Sequence, residues 1–463
     1  MVPERLRPAL ERACELARLF EAAGAHLYLV GGVVRDALVD RLNPGGDLDF
    51  TTDALPEVTQ EVLGKWADST WAQGLRFGTI GASKDGQRVE VTTHRAEQYE
   101  AGSRKPDVSF STALEADLAR RDFTVNAMAL SLPDLKLVDP FNGTGDLATR
   151  TLRTPLAPEV SFSDDPLRML RAARFIAAYD LSPVPEIFTA VTRLRGRLDI
   201  VSDERVRDEL DKLIVVPDPG PGLWFLVKTG LAEEFLPELP ALALEQDPVH
   251  RHKDVLAHTI AVVQRAKADR TVRLAALFHD IGKPKTRSFG PGGTVSFHHH
   301  ELVGARMTRD RMRALRYPAE DIDKVSKLVE LHLRFHTYAM GWTDSAVRRY
   351  VRDGGDLLEA LNELTRADCT TRNAAKARAL SRRMDELEQR IAELRESEEL
   401  SAIRPDLDGR EVMALLGLEP GPMVGRALAY LLEVRLEEGP HSHDEAVSLL
   451  RDWWARQPEG AGA

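Results

Sequence analysis

Cysteine is scarce in this chain of 463 residues, which contains only Cys14 and Cys369. A disulfide framework and a zinc site built on paired cysteines are therefore excluded, and the low count fits a reducing compartment. Long apolar runs are lacking too, because no uncharged stretch reaches the roughly 18 residues that cross a bilayer. Residues 3–20 mix charged and apolar side chains, which predicts an amphipathic helix rather than a signal core. We expect a cytoplasmic protein with no membrane partner.

Positive charge is in deficit, with 62 lysines and arginines against 73 aspartates and glutamates, a net charge of −11. This balance by itself argues against a polyanionic partner, because proteins that bind nucleic acids usually carry a basic excess. The composition is otherwise that of a globular protein, 43% hydrophobic and 29% charged. At this length the chain is expected to form about three domains.

Strand-like patterns are concentrated near the beginning of the chain. Residues 26–34, 48–51, 79–82 and 89–93 are short, apolar or β-branched, and bounded by turn residues, which predicts one mixed sheet with helices between its strands. From Asp164 onward the periodicity is mainly helical. One late apolar seam predicts a helix packed on its own chain, with a dimer seam as the alternative. The seam consists of Leu380, Met384, Leu387, Ile391 and Leu394.

Two blocks in the predicted sheet carry residue types that bind phosphate and metal. Residues 29–36, LVGGVVRD, predict a strand, a Gly-Gly turn that lets backbone N–H groups approach a phosphate, and a helix that carries Arg35. Asp47 and Asp49 lie two positions apart on a strand, so their side chains share a face and are close enough to ligate metal ions together. Either pattern alone is also common in ordinary turns.

Two further blocks follow in a fixed order. Residues 120–127, RRDFTVNA, supply cations and polar groups for phosphate and sugar. Residues 164–174, DDPLRMLRAAR, space one aspartate and three arginines three residues apart on a helix. Asp165 and Arg168 are expected to face a ligand together, as an acceptor and a donor that read a nucleobase edge, whereas the later arginines rotate away.

In this order the four blocks resemble the bacterial class II tRNA nucleotidyltransferase and poly(A) polymerase family, in the superfamily typified by DNA polymerase β. The resemblance covers the first half of the chain. It implies an α+β fold, with a polymerase-β-like head built on a small mixed sheet, followed by an all-α neck and body, an HD domain and a helical tail. It also implies template-independent addition of C, C and A to the tRNA 3′ end from CTP and ATP, with Mg²⁺.

The resemblance further implies residue roles. Asp47 and Asp49 are expected to hold Mg²⁺ as the catalytic carboxylates, and Asp165 and Arg168 to read the base edges of CTP and ATP. The family often has Glu-Asp where this chain has two aspartates, at residues 164–165, which keeps the charge. The role of Glu90 stays open. It is either a third carboxylate of the metal site or an exposed strand residue, and the exposed strand residue is favoured. The other implied nucleotide contacts are Gly32, Arg35, Arg121, Arg171 and Arg174.

Residues 94–110 are polar and predict a mobile loop that includes Arg104 and Pro106. In CCA-adding members of the family a flexible loop at this position helps to switch the pocket from C to A. The loop is therefore our main reason for favouring full CCA addition over partial activities.

Histidines and aspartates recur on the helical segments of the second half of the chain. Imidazoles and carboxylates suit a site that holds one or two metal ions and activates water on a phosphate ester. The order of these residues resembles the HD phosphohydrolase superfamily, which implies the metal ligands His258, His279, Asp280 and Asp368. His300 and His332 are further candidate ligands, and Mn²⁺, Ni²⁺ or Fe²⁺ is the expected second divalent metal. A docking or RNA-supporting domain with buried histidines is the alternative.

These observations predict four domains: a nucleotidyltransferase head (1–150), a helical neck and body that binds the base and RNA (151–245), an HD domain (246–372) and a helical tail (373–463). A poly(A) polymerase, or an enzyme that adds only CC or only A, shares the same head blocks and stays open. From another class, an HD phosphohydrolase whose head merely binds nucleotides is the competing hypothesis. A cationic cleft along head and neck is expected, and the oligomeric state is not predicted.

Overall fold

The protein is represented by a computed structural model that describes residues 7–41, 46–72, 78–98, 107–110, 112–244, 254–291, 294–337, 342–369, 374–398 and 403–457. The chain divides into two compact units, Met1–Pro240 and Ala241–Ala463.

The first unit contains the strands of the main sheet and most of the short strands. These strands are β1 Leu27–Val30, β2 Leu48–Thr52, β3 Ser69–Ala72, β4 Thr79–Lys84, β5 Gln87–Thr93, β6 Arg95–Gln98, β7 Asp107–Phe110, β8 Ala129–Leu132, β9 Lys136–Val138, β10 Thr151–Leu152 and β11 Ser182–Pro183. Its helices are α1 Arg7–Ala22, α2 Gly32–Leu38, α3 Pro56–Trp66, α4 Leu114–Ala119, α5 Gly143–Ala148, α6 Pro158–Asp164, α7 Leu167–Tyr179, α8 Pro185–Leu194, α9 Asp203–Ile214, α10 Gly220–Lys228 and α11 Ala232–Phe235.

Seven of these strands form one mixed sheet in the order β3-β4-β5-β2-β1-β8-β9. Strands β2 and β5 are parallel, and β1 is antiparallel to both β2 and β8. Helices α1 and α3 supply the buried side chains of Phe20 and Leu63 to the same core as Phe50 of β2. Burying this apolar surface is what holds the sheet in place.

The predicted mixed sheet is confirmed, with two differences in detail. The strand predicted over residues 26–34 ends at Val30, because Gly31 adopts a φ of 75° and helix α2 begins at Gly32. Strands β3, β8 and β9 were not predicted, since their local pattern is short and becomes strand-like only when neighbouring strands pair with it.

Part of the predicted loop at 94–110 forms the hairpin of β6 and β7. Arg104 and Pro106 lie outside the described residues.

Helix α7 is the central helix of the later part of the first unit, and it packs on α9 and α10. Gly222 of α10 allows the close approach, because a Cβ atom there would lie only 2.5 Å from the backbone oxygen of Ala173. Most apolar side chains of α7 are buried, and its arginines Arg168, Arg171 and Arg174 line a common cavity.

The described residues of the second unit are mainly helical, and they include one antiparallel strand pair formed by β12 Arg287–Phe289 and β13 Val295–Phe297. Its helices are α12 Val255–Arg265, α13 Arg270–Phe278, α14 Lys283–Thr286, α15 His300–Ala314, α16 Ala319–Leu331, α17 Arg334–Thr337, α18 Asp344–Gly354, α19 Leu358–Asp368, α20 Ala374–Ser397, α21 Gly409–Leu416, α22 Pro422–Glu438 and α23 His443–Trp454.

Two features of the second unit bear on the sequence predictions. The apolar seam of α20 is buried, with Met384 and Leu387 at 1% and 0% exposure, and α20 contacts α18 and α19 of the same chain. This agrees with the favoured interpretation of a helix packed on its own chain. Helices α21, α22 and α23 share a separate apolar core. The predicted fold class, a small mixed sheet followed by helices, is confirmed.

Candidate active sites

The turn between β1 and α2 leaves a space without side-chain atoms next to two charged side chains. A Cβ atom on Gly31 would lie 3.6 Å from Arg121 Nη1 and 3.6 Å from Asp49 Oδ2. The absence of a side chain on Gly31 and Gly32 therefore leaves room for a ligand next to an arginine and a carboxylate. Because Gly31 has a positive φ, a residue with a side chain would also be strained there.

Three carboxylates come together where β2 pairs with β5. Asp47 comes just before β2, Asp49 is the exposed member of β2, and the parallel register pairs Asp49 directly with Glu90. Surrounding protein atoms desolvate Asp49, and the charges of Glu90 and Asp47 add to this effect, so that the pKa of Asp49 rises to about 6 although Arg121 opposes the shift. A divalent cation would relieve this crowding of negative charge, and oxygen ligands suit a hard cation.

Glu90 is less exposed than the favoured interpretation of an exposed strand residue predicts. It is half-buried and lies beside Asp49. The alternation of β5 shows that Glu90 faces away from Val89 and Val91, but only the strand pairing shows that this face carries Asp49.

A cavity of about 450 Å³ is lined by Asp49. All seven predicted nucleotide contacts line it together with Asp49, namely Gly32, Arg35, Arg121, Asp165, Arg168, Arg171 and Arg174. In total seven arginines and three aspartates face the cavity, which agrees with the expected cationic cleft. Arg171 and Arg174 were expected to rotate away, yet their long side chains reach back to the same space. Phe175 and Arg205 are lining residues that the sequence reasoning did not select.

Asp122 connects the two walls of the cavity. Its carboxylate accepts hydrogen bonds from Arg171 Nε at 2.8 Å, from the Asn126 side chain at 2.9 Å and from the backbone N–H of Phe123 at 2.9 Å. Burial opposes the charged form, but Arg171 and Asn126 outweigh it and lower the pKa of Asp122 to about 2. Asp122 thus stays charged and holds Arg171 in place.

The pair expected to read the base is held rigidly by its surroundings. Arg168 is buried and donates to Ser161 Oγ at 2.8 Å and to the backbone oxygen of Arg120. Asp165 lies just before α7, and one of its oxygens is 3.3 Å from Arg205 Nη2. Fixed donors and acceptors of this kind can discriminate between base edges, because a mismatched base would leave them unpaired.

Glu209 of α9 supports the two later arginines of α7. It is 3% exposed, accepts from Arg174 Nε at 2.8 Å and lies 3.8 Å from Arg171 Nη1. Burial raises the pKa of a carboxyl group, but Arg174 and Arg171 outweigh it and lower the pKa of Glu209. No local motif revealed this residue, which reaches the site only through the packing of α7 on α9.

The second unit brings together the histidines and aspartates that were predicted as an HD site. His258 Nε2 lies 3.0 Å from Asp368 Oδ1, His279 Nε2 lies 3.2 Å from Asp280 Oδ2, and His300 Nε2 lies 3.4 Å from Asp280 Oδ1. His332 completes the cluster, with its ring 5.3 Å from the rings of both His279 and His300.

The orientation of these histidines favours metal binding over simple burial. The Nδ1 atoms of His279, His300 and His332 lie 2.8, 2.8 and 2.6 Å from the backbone oxygens of Ala276, Phe297 and Val329. An Nδ1–H that donates to a carbonyl leaves Nε2 as the electron-pair donor, which is the usual arrangement of a ligating histidine. Two sets of three candidate ligands share Asp280, namely His258-His279-Asp280 and Asp280-His300-His332, and the potential ligand atoms of each set lie within 4.8 Å of one another.

Three neighbouring carboxylates at two paired strands, one of which lines a cavity rich in arginines, define the first unit as a nucleotidyltransferase. Family comparisons agree. Residues 27–153 match the poly(A) polymerase head domain, residues 180–242 match the family described as "Probable RNA and SrmB- binding site of polymerase A", and residues 255–394 match the HD domain.

Similar proteins cover almost the whole chain. An A-adding tRNA nucleotidyltransferase of Deinococcus radiodurans is 35% identical over 93% of this chain and 96% of its own length. A CCA-adding enzyme of Streptococcus thermophilus is 31% identical, with 94% of each chain covered. A CC-adding tRNA nucleotidyltransferase of Thermus thermophilus is 32% identical over 94% of this chain and 95% of its own. The chain therefore belongs to the tRNA nucleotidyltransferase family, in which a divalent metal is used.

Solved structures show the same fold. The CCA-adding enzyme of Bacillus stearothermophilus in complex with CTP superposes with a TM-score of 0.68 at 24% identity, covering 96% of this chain and 98% of that chain. In the described part of the chain no helix has both the length and the apolar character needed to cross a membrane.

Proposed function

We propose that this enzyme adds C, C and A to the 3′ end of tRNA from CTP and ATP without a nucleic-acid template. One observation carries the proposal: a single cavity joins the carboxylate Asp49 to the fixed pair Asp165 and Arg168. A nucleotide placed there has its triphosphate near the carboxylates and its base near the pair. Similarity to proteins named as CCA-adding enzymes supports the same substrates.

In this proposal Asp47 and Asp49 hold Mg²⁺, and Glu90 is the third carboxylate. All three supply the hard oxygen ligands that this ion prefers. Burial and then the negative charge of Glu90 raise the pKa of Asp49, and a cation would relieve the part that comes from this charge. When bound, the metal stabilises charge on the triphosphate during attack by the RNA 3′-hydroxyl, and pyrophosphate is released. Arg35 and Arg121 bind the triphosphate side of the nucleotide, next to the Gly31-Gly32 turn.

Base selection follows from hydrogen-bond chemistry. Cytosine N4 and adenine N6 both carry amino donors, which the Asp165 carboxylate can accept. Arg168 donates to the adjacent ring nitrogen, and uracil and guanine present a carbonyl oxygen where Asp165 requires a donor. Arg171 and Arg174, held by Asp122 and Glu209, contact the rest of the nucleotide. Because Arg168 is itself held by Ser161 and Arg120, the two allowed bases are read by the same fixed groups.

The decisive experiment supplies CTP and ATP separately to tRNA transcripts that end before, within and after CCA. We expect the shortest transcript to be completed only with both nucleotides. The Asp49→Ala variant should bind the transcripts without extending them, and Asp134→Ala, at an exposed position, should match the wild type. Incorporation of A alone, as the name of the Deinococcus protein states, or of C alone, would replace CCA addition with a partial activity. Long A tracts would indicate a poly(A) polymerase.

We also propose a metal-dependent phosphohydrolase activity for the HD site. The inward orientation of Nε2 in three histidines around the shared Asp280 supports it, since buried histidines that only fill space need not converge on one carboxylate. Mn²⁺, Ni²⁺ or Fe²⁺ suits these nitrogen and oxygen ligands. Hydrolysis of 2′,3′-cyclic nucleotides with each metal, compared with Asp280→Ala, tests this activity. A rate no higher than that of the variant would favour a docking domain.

The two tests also separate the competing class. A phosphohydrolase whose head only binds nucleotides would hydrolyse the cyclic nucleotides and leave every transcript unextended. The cytoplasmic location and the four domain boundaries expected from the sequence remain predictions.

A further inference from the structure

We infer that Tyr179 is a positioning residue that aims Arg35 at the nucleotide. This inference rests on the proposed function of the cavity. Tyr179 is the last residue of α7, and Arg35 lies on α2, so the contact links two elements that both contribute residues to the cavity. Tyr179 itself is not one of the residues that line the described cavity.

The contact has two parts that act on the same guanidinium group. The Cζ atom of Arg35 lies 4.2 Å from the centre of the Tyr179 ring, a distance that gives a cation–π attraction. The Tyr179 hydroxyl donates to Asp36 Oδ1 at 3.0 Å, and that same oxygen accepts from Arg35 Nε at 2.8 Å. Asp36 Oδ2 accepts from Arg35 Nη2 at 3.0 Å. The phenol therefore fixes the carboxylate, and the carboxylate fixes the plane of the guanidinium.

Arg35 keeps N–H donors that can bind a ligand. An arginine side chain has five N–H donors. Among the described residues three of them have acceptors, two on Asp36 and one on Asn126. Two donors are left on a group that lines the cavity. Because Arg35 is 6% exposed and its plane is fixed, their direction is fixed as well.

Neighbouring groups hold the Tyr179 ring in place. Phe175, one turn earlier on α7, stacks on it with ring centres 5.4 Å apart and 21° between the planes. Arg41 Nη1 donates to the backbone oxygen of Ala178 at 2.6 Å, and its Cζ lies 5.5 Å from the Tyr179 ring. Arg35 thus packs against a prearranged surface on the helix that carries the base-reading arginine Arg168. Tyr179 therefore ties the part of the cavity proposed for the triphosphate to the part proposed for the base.

The test measures Kd for ATP with Mg²⁺ by equilibrium dialysis, and KM for ATP and for the tRNA transcript, in Tyr179→Phe and Tyr179→Leu. Removing the hydroxyl alone should weaken ATP binding about threefold, and removing the ring as well should weaken it about tenfold or more. The KM for the transcript and the melting temperature should stay at wild-type values. Tyr430→Phe, a matched change in the second unit, should alter none of them.

A double-mutant cycle with Asp36→Asn tests the route of the effect. If the hydroxyl acts through Asp36, Tyr179→Phe should have little further effect on ATP binding in the Asp36→Asn background. If the losses of ATP affinity caused by Tyr179→Phe and Asp36→Asn multiply in the double variant, the two residues act independently and the inference is wrong. ATP binding by Tyr179→Leu within twofold of the wild type would also overturn it, as would equal losses for ATP and transcript together with a lower melting temperature. If the wild type fails to extend any transcript, the proposed function fails, whereas the dialysis comparison still decides the role of Tyr179.

Discussion

Asp122 is the residue on which the side chains of the cavity converge. It accepts from Arg171 and Asn126, and Asn126 in turn accepts from Arg35. Asp117 has a similar position nearby, where it is buried and paired with Arg120 and Arg121. Both carboxylates are desolvated, and in both the neighbouring arginines outweigh this effect and lower the pKa to about 2.

These ion pairs predict that the first unit becomes less stable to unfolding at acidic pH. A carboxylate whose pKa is lower in the folded state stabilises the fold above its unfolded pKa, and this stability is lost as the pH falls through the folded pKa. The unfolded pKa is about 4, so the loss should extend from about pH 4 down to about pH 2, and Asp122 should contribute about 2 kcal/mol to it. Unfolding midpoints measured at pH 5, 4 and 3 check this expectation.

Asp122→Asn should be less stable than the wild type near neutral pH, because it removes the carboxylate that is hydrogen-bonded to Arg171 and leaves only the more distant Glu209 to balance that charge. Its midpoint should then change less than that of the wild type between pH 4 and pH 3. Parallel pH profiles for the two proteins would contradict the assigned ion pair.

At the scale of elements, the pairing of β2 with β5 decides which acids meet. The parallel register brings Glu90 of one strand beside Asp49 of the other, and a shift of one residue would turn Glu90 toward the opposite face. Alternation along β5 alone leaves the function of Glu90 open.

We predict that Glu90→Gln lowers kcat for nucleotide addition by about tenfold or more, since it removes a negative ligand from the proposed metal site. The affinity for the transcript should be unchanged. Glu61→Gln, on the exposed face of α3, is the matched control. An unchanged kcat for Glu90→Gln would show that Glu90 is an ordinary strand residue and not a carboxylate of the proposed metal site.

The start of α15 depends on a close contact between elements of the second unit. A Cβ atom on Gly282 would lie 2.2 Å from the backbone oxygen of His300 and 2.7 Å from the backbone nitrogen of Gly304. Gly282→Ala should therefore displace His300 from the HD cluster and lower the amount of Mn²⁺ bound, measured by metal analysis after dialysis.

Gly64→Ala provides the control for that substitution, because the added methyl group would meet nothing within 4 Å and the site lies in helix α3 of the first unit. Wild-type metal content in Gly282→Ala would show that α15 can shift without disturbing the cluster.

At the scale of the whole molecule, the net charge of −11 conceals a local excess of positive charge. Seven arginines line the nucleotide cavity, while acidic residues predominate in the sum over the chain. Net charge therefore does not exclude a polyanionic substrate, because binding depends on the field at the site.

A local cationic surface predicts salt-sensitive binding of tRNA. Affinity measured by filter binding should fall by about an order of magnitude between 50 and 200 mM KCl, because bound phosphates release counterions. Arg174→Gln should reduce the steepness of this dependence if the RNA end reaches the cavity. An affinity independent of salt would contradict an electrostatic contribution from these arginines.

The sequence by itself determined the family and the order of the blocks, and it predicted Asp47 and Asp49 as metal carboxylates and the histidines and aspartates of the HD site as ligands. These features are local, since a short run of residues carries both the backbone conformation and the chemistry. Only the tertiary structure decided that Glu90 joins Asp49, that Glu209 holds Arg174, and that Tyr179 holds Arg35 through Asp36. Each of these contacts joins segments that are distant in the chain, and strand register and helix packing create them without leaving a periodic pattern in either segment.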